Sequence, residues 1–185
     1  GEHIAPQAQR NLNVCVVIMD NGVYGLTKGQ ASPTTLPGQV TPTTPFGKVE
    51  TALNPLALYL TLGATYVASA YSSKVRELSQ MITQGMEHPG FAIIQVQSPC
   101  TTYNDTYDQL KGNPSKGIAP TAWDIPGEHD TSSRESAFKL LESGGIPLGV
   151  LYQDQDSITF DQRASKAAEK APTKSAGELI ETFSL

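Results

Sequence analysis

Short apolar runs alternate with amphipathic stretches along the first hundred residues. Residues 14–19 (VCVVIM) are continuous, apolar and rich in β-branched side chains. This is the pattern of a strand covered on both faces, as in a parallel sheet. The run stops at Asp20-Asn21-Gly22, a strong turn signal. Residues 29–51 hold much Pro, Thr and Gly and few large apolar side chains, so no regular element is expected there. Two near-copies, Ser32-Pro33-Thr34-Thr35 and Thr41-Pro42-Thr43-Thr44, lie within this stretch. A long functional loop between core segments accounts for it better than a glycosylated stalk does. Asn54 can cap a helix with Pro55 in its first turn and Leu56, Leu58, Leu60 and Leu62 along it, ending at Gly63. Residues 65–68 make a short strand. Ser72 or Ser73 then caps a clearer helix, with Val75, Leu78, Ile82 and Met86 at helical spacing and His88-Pro89-Gly90 as its stop. Residues 91–96 (FAIIQV) are a second buried strand.

Strand, loop, helix, strand, helix, strand is the order of an α/β fold with a parallel sheet and crossover connections. The pattern weakens after Cys100. Residues 101–127 read as loop with one helical turn, 132–143 as a helix with Ala137, Phe138, Leu140 and Leu141 on its apolar side, and 146–152 (IPLGVLY) as a last strand or extended segment. An Ala- and Lys-rich tail, 161–185, is expected to be helical or flexible beyond a domain at 1–160.

Composition narrows the function classes. A formal net charge of −5 gives no electrostatic footprint for nucleic acid or an anionic membrane. No run of about eighteen apolar residues is present, so no spanning helix is expected. The opening residues lack the charged-then-apolar pattern of a signal peptide. Two cysteines make no disulfide framework and suit a reducing, cytoplasmic setting. The chain opens on Gly1 without an initiator Met and reads as beginning inside a longer protein, or as processed or tagged.

The candidate chemistry lies in the segment after the first strand. Ligands of open α/β sheets bind at the carboxyl ends of strands, where residues 20–30 (DNGVYGLTKGQ) fall. Magnesium takes hard oxygen ligands, and the Asn21 amide oxygen and the Val23 carbonyl can supply two. Gly25 and Gly29 allow close approach of backbone to phosphate oxygens. On chemistry alone Asp-Asn-Gly is more often a plain turn, and Lys28 an ordinary solvated lysine. Cys15, inside the apolar run, is a small buried hydrophobe. Cys100, on a turn after a strand, is by itself an unremarkable free thiol, since [4Fe–4S] clusters need four thiolates. His88, in a helix-ending turn, has a structural role; His3 and His129 are acid–base candidates by residue type only.

The phrase MDNGVYGLTKGQASPTT resembles the second half of the thiamine diphosphate motif in the β subunits of 2-oxoacid:ferredoxin oxidoreductases. Ser98-Pro99-Cys100-Thr101-Thr102-Tyr103-Asn104 resembles the same family in the right order and at the right separation. Weaker likeness runs through Gly1-Glu2-His3, Arg10-Asn11, His129-Asp130 and residues 146–152, with Pro6 and Gln9 departing from the pattern. The resemblance implies a parallel-sheet thiamine diphosphate-binding fold, incomplete at its N-terminus. It implies that Asn21 and the Val23 carbonyl bind Mg2+, that Gly25 and Leu26 lie against the cofactor, and that Lys28 pairs with a substrate carboxylate. Glycine at that position goes with pyruvate-preferring members, and lysine with 2-oxoglutarate or broad specificity. Cys100 corresponds to the fourth ligand of a [4Fe–4S] cluster. The family's upstream Gly-Asp-Gly, with the third magnesium ligand, and its three other cluster cysteines are absent from this sequence.

The reaction implied is CoA-dependent oxidative decarboxylation of a 2-oxoacid to acyl-CoA, CO2 and reduced ferredoxin. Partners would be an α subunit, which supplies the glutamate that activates the thiamine, the N-terminal part of the β subunit, and ferredoxin. The resemblance assigns no catalytic acid or base within this chain. Two other readings fit the half-motif: a thiamine-dependent decarboxylase or synthase with no iron–sulfur cluster, and a non-catalytic interaction module whose half-motif is vestigial.

Overall fold

The computed structural model describes residues 3–170 and 174–183. Gly1 and Glu2 of the opening stretch, and residues 171–173 and 184–185 of the tail, lie outside the described residues. Helix α1 (Ile4–Arg10) leads into β1 (Val14–Asp20), then a ribbon of β2 (Val23–Tyr24) and β3 (Gln30–Ala31). Helix α2 (Pro55–Thr61), β4 (Tyr66–Tyr71), α3 (Val75–Glu87) and β5 (Phe91–Gln97) follow. After Cys100 come α4 (Tyr107–Lys111), a 3-10 turn (Pro114–Lys116), β6 (Ala122–Asp124), α5 (Arg134–Glu142), β7 (Ile146–Gln153), α6 (Phe160–Glu169) and α7 (Ala176–Thr182).

The main sheet runs β1-β5-β4-β7-β6. Strands β1, β5 and β4 are parallel neighbours, as the hydrophobic pattern predicts. Alternation along β4 and β5 sends side chains to two separate cores. Val67, Phe91 and Ile93 meet α2 and α5 through Leu56, Leu60 and Ala137. Tyr66, Ala68, Ala92, Ile94 and Val96 meet α3 through Leu78, Met81 and Ile82. Asn54 caps α2 as expected, its Oδ1 accepting from Ala57 N at 3.1 Å with Pro55 in the first turn.

The structure corrects several expectations. The α/β sheet is mostly parallel as expected, and the departure is β7, which runs antiparallel to β4. β1 is not covered on both sides: among the described residues it is an edge strand paired only with β5, and Val14, Val17 and Met19 remain exposed. Cys15 is accordingly only partly buried, packing toward α3 at Gly85, and burial raises its thiol pKa. Neither Ser72 nor Ser73 caps α3; Lys74 occupies that position without a side-chain cap and pairs instead with Asp124. The stretch 29–51 does contain a strand, β3, and its two near-copies fold alike. Thr35 N donates to Ser32 O at 3.2 Å and Thr44 N to Thr41 O at 3.0 Å, each turn laced by its own hydroxyls. Helix α1 is an element that the hydrophobic pattern does not announce.

Asn11 ties the start of the fold to residues near its end. Its Nδ2 donates to Ser157 Oγ and Ile158 O, both at 2.9 Å, and its Oδ1 accepts from Thr65 Oγ1 at 2.8 Å and Phe91 N at 2.7 Å. All four bonds of a buried carboxamide are thereby made. Asn11 holds a left-handed backbone, φ 55°, which asparagine tolerates better than most residues. Gly90 packs so closely that an added Cβ would meet Asn11 Oδ1 at 2.4 Å.

Candidate functional site

At the carboxyl end of β1 the chain turns back on itself through two side-chain bonds. Asp20 Oδ1 accepts from Gly22 N at 2.8 Å, and Asn21 Oδ1 accepts from Val23 N at 3.0 Å. These are the local bonds that make Asx residues turn formers. Gly22, with φ +70°, supplies the left-handed step. Asp20 is then fixed from two further sides: Thr34 Oγ1 donates to Oδ1 at 2.9 Å and Gln95 Nε2 to Oδ2 at 2.8 Å. Behind it Tyr59 OH donates to Gln95 Oε1 at 2.8 Å, and burial together with the charge of Asp20 pushes the phenol pKa up.

The first of the near-copy turns closes over this one. Thr35 Oγ1 donates to Gly22 O, and Lys48, itself buried, donates to the carbonyls of Ser32 (3.2 Å), Pro33 (3.2 Å) and Thr35 (2.8 Å). A cavity of about 330 Å³ opens beside these turns. Asp20, Gln97 and Asn104 give it polar wall, and Leu56, Leu110 and Ile146 apolar wall.

The residues singled out from the sequence divide into two groups. Asn21 and Val23 share the turn, and Gly25 abuts it, since a Cβ there would come 3.3 Å from Asn21 Nδ2. Leu26 and Lys28 sit instead on the outward tip of the β2–β3 ribbon. Leu26 is 100% exposed, and Lys28 has φ 70° and an ammonium with no hydrogen bond or ion pair among the described residues. Leu36, Val40, Phe46 and Val49, in the loop that follows, are also exposed.

Cys100 lies on a second turn that is bonded to the first. Cys100 N donates to Asn104 O at 3.2 Å and Asn104 N to Cys100 O at 2.8 Å. Backbone N–H groups of Tyr103 and Thr102, and then Asn104, point at the sulfur and lower its pKa, with the small desolvation working against them. N–H groups converging on a thiol favour the thiolate, the form that binds metal. The Asn104 side chain spans the gap: Nδ2 donates to Asn21 O at 2.8 Å and Oδ1 accepts from Gln39 Nε2 at 3.0 Å.

This arrangement fits a hard cation at the first turn in its donor chemistry. The Asn21 carboxamide keeps a second lone pair, Val23 adds a carbonyl, and both are oxygen donors of the kind magnesium selects. Asp20 is already committed to three donors. Among the described residues no group of three His, Cys, Asp or Glu side chains could hold a metal, and water, phosphate oxygens or another segment can complete the ligand set. The sequence pattern does not mark Asp20, Tyr59, Lys48 or Asn104 as supports of the site. For Gln95 it holds one signal, a glutamine inside FAIIQV, as a polar residue in a buried strand needs partners.

Comparison with known proteins gives the family. Residues 1–96 match the family described as "Thiamine pyrophosphate enzyme, C-terminal TPP binding domain", and residues 100–169 match the family of the C-terminal part of the pyruvate ferredoxin oxidoreductase beta subunit. The chain is 36% identical over 178 residues to the 2-oxoacid:ferredoxin oxidoreductase subunit beta of Saccharolobus solfataricus, covering 92% of this chain and 57% of that one. It is 37% identical over 112 residues to the 2-oxoglutarate oxidoreductase subunit KorB of Mycobacterium tuberculosis, covering 60% of this chain and 30% of that one. A solved structure, 2-oxoglutarate:ferredoxin oxidoreductase from Magnetococcus marinus with 2-oxoglutarate, coenzyme A and succinyl-CoA bound, superposes with a TM-score of 0.85 at 37% identity. That match covers 100% of this chain and 63% of that one. The chain thus spans little more than half the length of its long-matching relatives. With one family match ending just before Cys100 and the other beginning on it, the chain belongs to the thiamine pyrophosphate enzymes, as a β-subunit relative of the 2-oxoacid:ferredoxin oxidoreductases.

Proposed function

We propose that this chain supplies the diphosphate-and-magnesium half of a thiamine diphosphate site, and one ligand of a [4Fe–4S] cluster, in a 2-oxoacid:ferredoxin oxidoreductase. The reaction is CoA-dependent oxidative decarboxylation of a 2-oxoacid, 2-oxoglutarate ahead of pyruvate, to acyl-CoA, CO2 and reduced ferredoxin. One observation carries the reading: the oxygen-rich turn at Asn21 and the turn of Cys100 are joined by the 2.8 Å bond from Asn104 Nδ2 to Asn21 O. A thiamine enzyme with no cluster has no need of a cysteine whose thiolate is favoured beside its magnesium turn.

Bound thiamine diphosphate supplies the carbon nucleophile and electron sink for decarboxylation. The chain's own residues position and select. Asn21 Oδ1 and the Val23 carbonyl hold the magnesium, while Asp20, pinned by Gln95 and Thr34, keeps their turn rigid. Gly25 and Leu26 lie beside the cofactor, Leu26 offering an uncovered apolar side chain. Lys28 offers an unpaired ammonium to the distal carboxylate of a dicarboxylic oxoacid, as a point charge. Cys100 holds one iron, and the other thiolates come from elsewhere in the β subunit. The remaining partners are an α subunit, ferredoxin and coenzyme A, in the cytoplasm. The substrate preference is supported by Lys28 and by the 2-oxoglutarate named for the M. marinus and M. tuberculosis relatives.

The test is iron and acid-labile sulfide analysis of the complete native complex, with thiamine diphosphate titrated in the presence of Mg2+. Cys100→Ser is expected to lose the cluster while thiamine diphosphate binding persists. An unchanged iron content in that variant would overturn the cluster assignment, and a wild-type complex that does not take up thiamine diphosphate would overturn the whole reading.

A further inference from the structure

We infer that Asn104 is a positioning residue that couples the magnesium-bearing turn to the turn of Cys100, so that the charge state of one site sets the ligand affinity of the other. This rests on the proposed reading of the two turns.

The Asn104 backbone and side chain do different work. Its N–H and C=O close the Cys100 turn through the bonds at 2.8 and 3.2 Å, so Cys100 and Asn104 move together. Its carboxamide reaches the other turn and donates to the Asn21 carbonyl at 2.8 Å. That carbonyl belongs to the Asn21–Gly22 peptide, one of the two peptides that link the Asn21 side chain to the Val23 carbonyl. Gly22 is shaped to admit the contact: an added Cβ would stand 2.8 Å from Asn104 Nδ2. Gln39 Nε2 donates to Asn104 Oδ1 at 3.0 Å and so fixes which way the amide faces. A second point of contact lies one residue earlier, where Tyr103 packs against Gly29 closely enough that a Cβ there would meet the Tyr103 side-chain carbons at 3.1–3.2 Å. The loop around Lys28 is thereby held to the same unit.

The coupling has a direct physical source. N–H groups at Tyr103, Thr102 and Asn104 already face the Cys100 sulfur. Adding negative charge at that sulfur draws them inward, and Asn104 pulls on the Asn21 carbonyl as it follows. Binding free energies linked this way are reciprocal. A cation with diphosphate at the first turn must therefore bind with different strength when the cluster is oxidised and when it is reduced.

The experiment is done on the complete oxidoreductase complex. The Kd of thiamine diphosphate with Mg2+ is measured with the cluster oxidised and with it reduced by dithionite, and iron content is checked in every sample. In wild type the two constants should differ by about fivefold or more. In Asn104→Ala the ratio should fall to one with iron retained. Asn104→Asp, which sets an acceptor against the Asn21 carbonyl, should weaken binding in both states. Gln39→Ala, a loop substitution outside the core, should move the ratio partway toward one by freeing the amide, and keeps the test open if Asn104 variants do not assemble. A wild-type ratio of one, or the wild-type ratio persisting in Asn104→Ala or Gln39→Ala, would overturn the inference. An iron-free wild-type complex would instead sink the proposed function, and this coupling with it.

Discussion

Gln95 Nε2 donates to Asp20 Oδ2 at 2.8 Å while Gln95 Oε1 accepts from Tyr59 OH at the same distance. A carboxylate has no proton to give, so the amide nitrogen must face Asp20, and the phenol must then donate to the amide oxygen. The relay runs from the helix α2 face to the first residue of the candidate turn. It fixes Asp20 from below while Thr34 fixes it from the side.

Gln95→Glu should make this contact pH-dependent. The new acid must stay protonated to donate to Asp20, because two carboxylates at hydrogen-bond distance repel. The folded-state pKa of that acid is raised above its unfolded value. Its stabilising contact is therefore complete below the unfolded carboxylate range and lost as pH rises through the folded pKa. Thermal melts of wild type and variant should run close together in acid and separate as pH increases. Parallel melting curves across pH 5–8 (about three units, well above an ordinary glutamate) would show that the Asp20 contact contributes nothing.

Lys48 does for the Ser32–Thr35 turn what Gln95 does for Asp20. Its ammonium is buried and meets three carbonyls. Lys48→Met keeps the stem and removes the donors. Hydrogen bonds to a charged group are each worth about 1.5–3 kcal/mol, and these three share one cation, so a loss of about 2–3 kcal/mol concentrated in the loop is expected. Thiamine diphosphate binding to the complete complex should weaken by roughly tenfold or more. Hydrogen exchange should quicken at 32–36 with β4 and β5 unaffected. Equal acceleration throughout the core would mark Lys48 as a global rather than local support.

Much of this fold was legible in the sequence, and the reasons for the misses are physical. Residues 14–19, 91–96 and the α3 stripe were readable because burial periodicity is a local property. The exposure of β1 was not, since an edge strand and a central strand can share one composition. The antiparallel entry of β7 depends on where the chain has been since Cys100, which no window of residues records. The turn residues Asn21 and Val23 could be picked out by motif. Their supports were mostly hidden: Asn104 lies 83 residues from Asn21, and Gln95, 75 residues from Asp20, shows only as a polar residue in a buried strand whose partner no local pattern names. Lys48 was hidden for another reason: lysine is normally solvated, and its burial requires three carbonyls that only the folded loop presents.

His88 should make stability fall in mild acid. Thr65 Oγ1 gives its single proton to Asn11 Oδ1, so His88 Nε2 must donate to Thr65 at 2.9 Å, leaving Nδ1 unprotonated, buried and, among the described residues, without a partner. Burial lowers the imidazole pKa below 6.5, with the charge of Asp154 opposing it. The unfolded chain thus takes up a proton first as pH falls. Stability is full above about 6.5 and erodes as pH drops below it toward the folded pKa. His88→Gln can still donate to Thr65 and cannot titrate. Its melting temperature should change less than wild type's between about pH 7 and 5.5, and identical slopes would remove His88 as the cause.

Lys28 is the place where substrate choice should be tested, and the substitution has to respect its backbone. With φ 70° the residue sits in the left-handed region, where every non-glycine side chain bears a penalty of about 1–2 kcal/mol. Lys28→Gly would remove that strain along with the charge and mix two effects. Lys28→Met keeps the strain and the stem and removes only the ammonium. In the complete complex this variant should raise the KM for 2-oxoglutarate by about 10- to 100-fold, the range expected for one charged hydrogen bond. The KM for pyruvate, which has no second carboxylate, should stay within about twofold. The kcat values should hold for both oxoacids, since the contact is made equally in ground and transition states. If the KM values for both oxoacids stay as in wild type, Lys28 is a solvated lysine on an exposed ribbon. If both rise together, it acts on the cofactor rather than on the distal carboxylate.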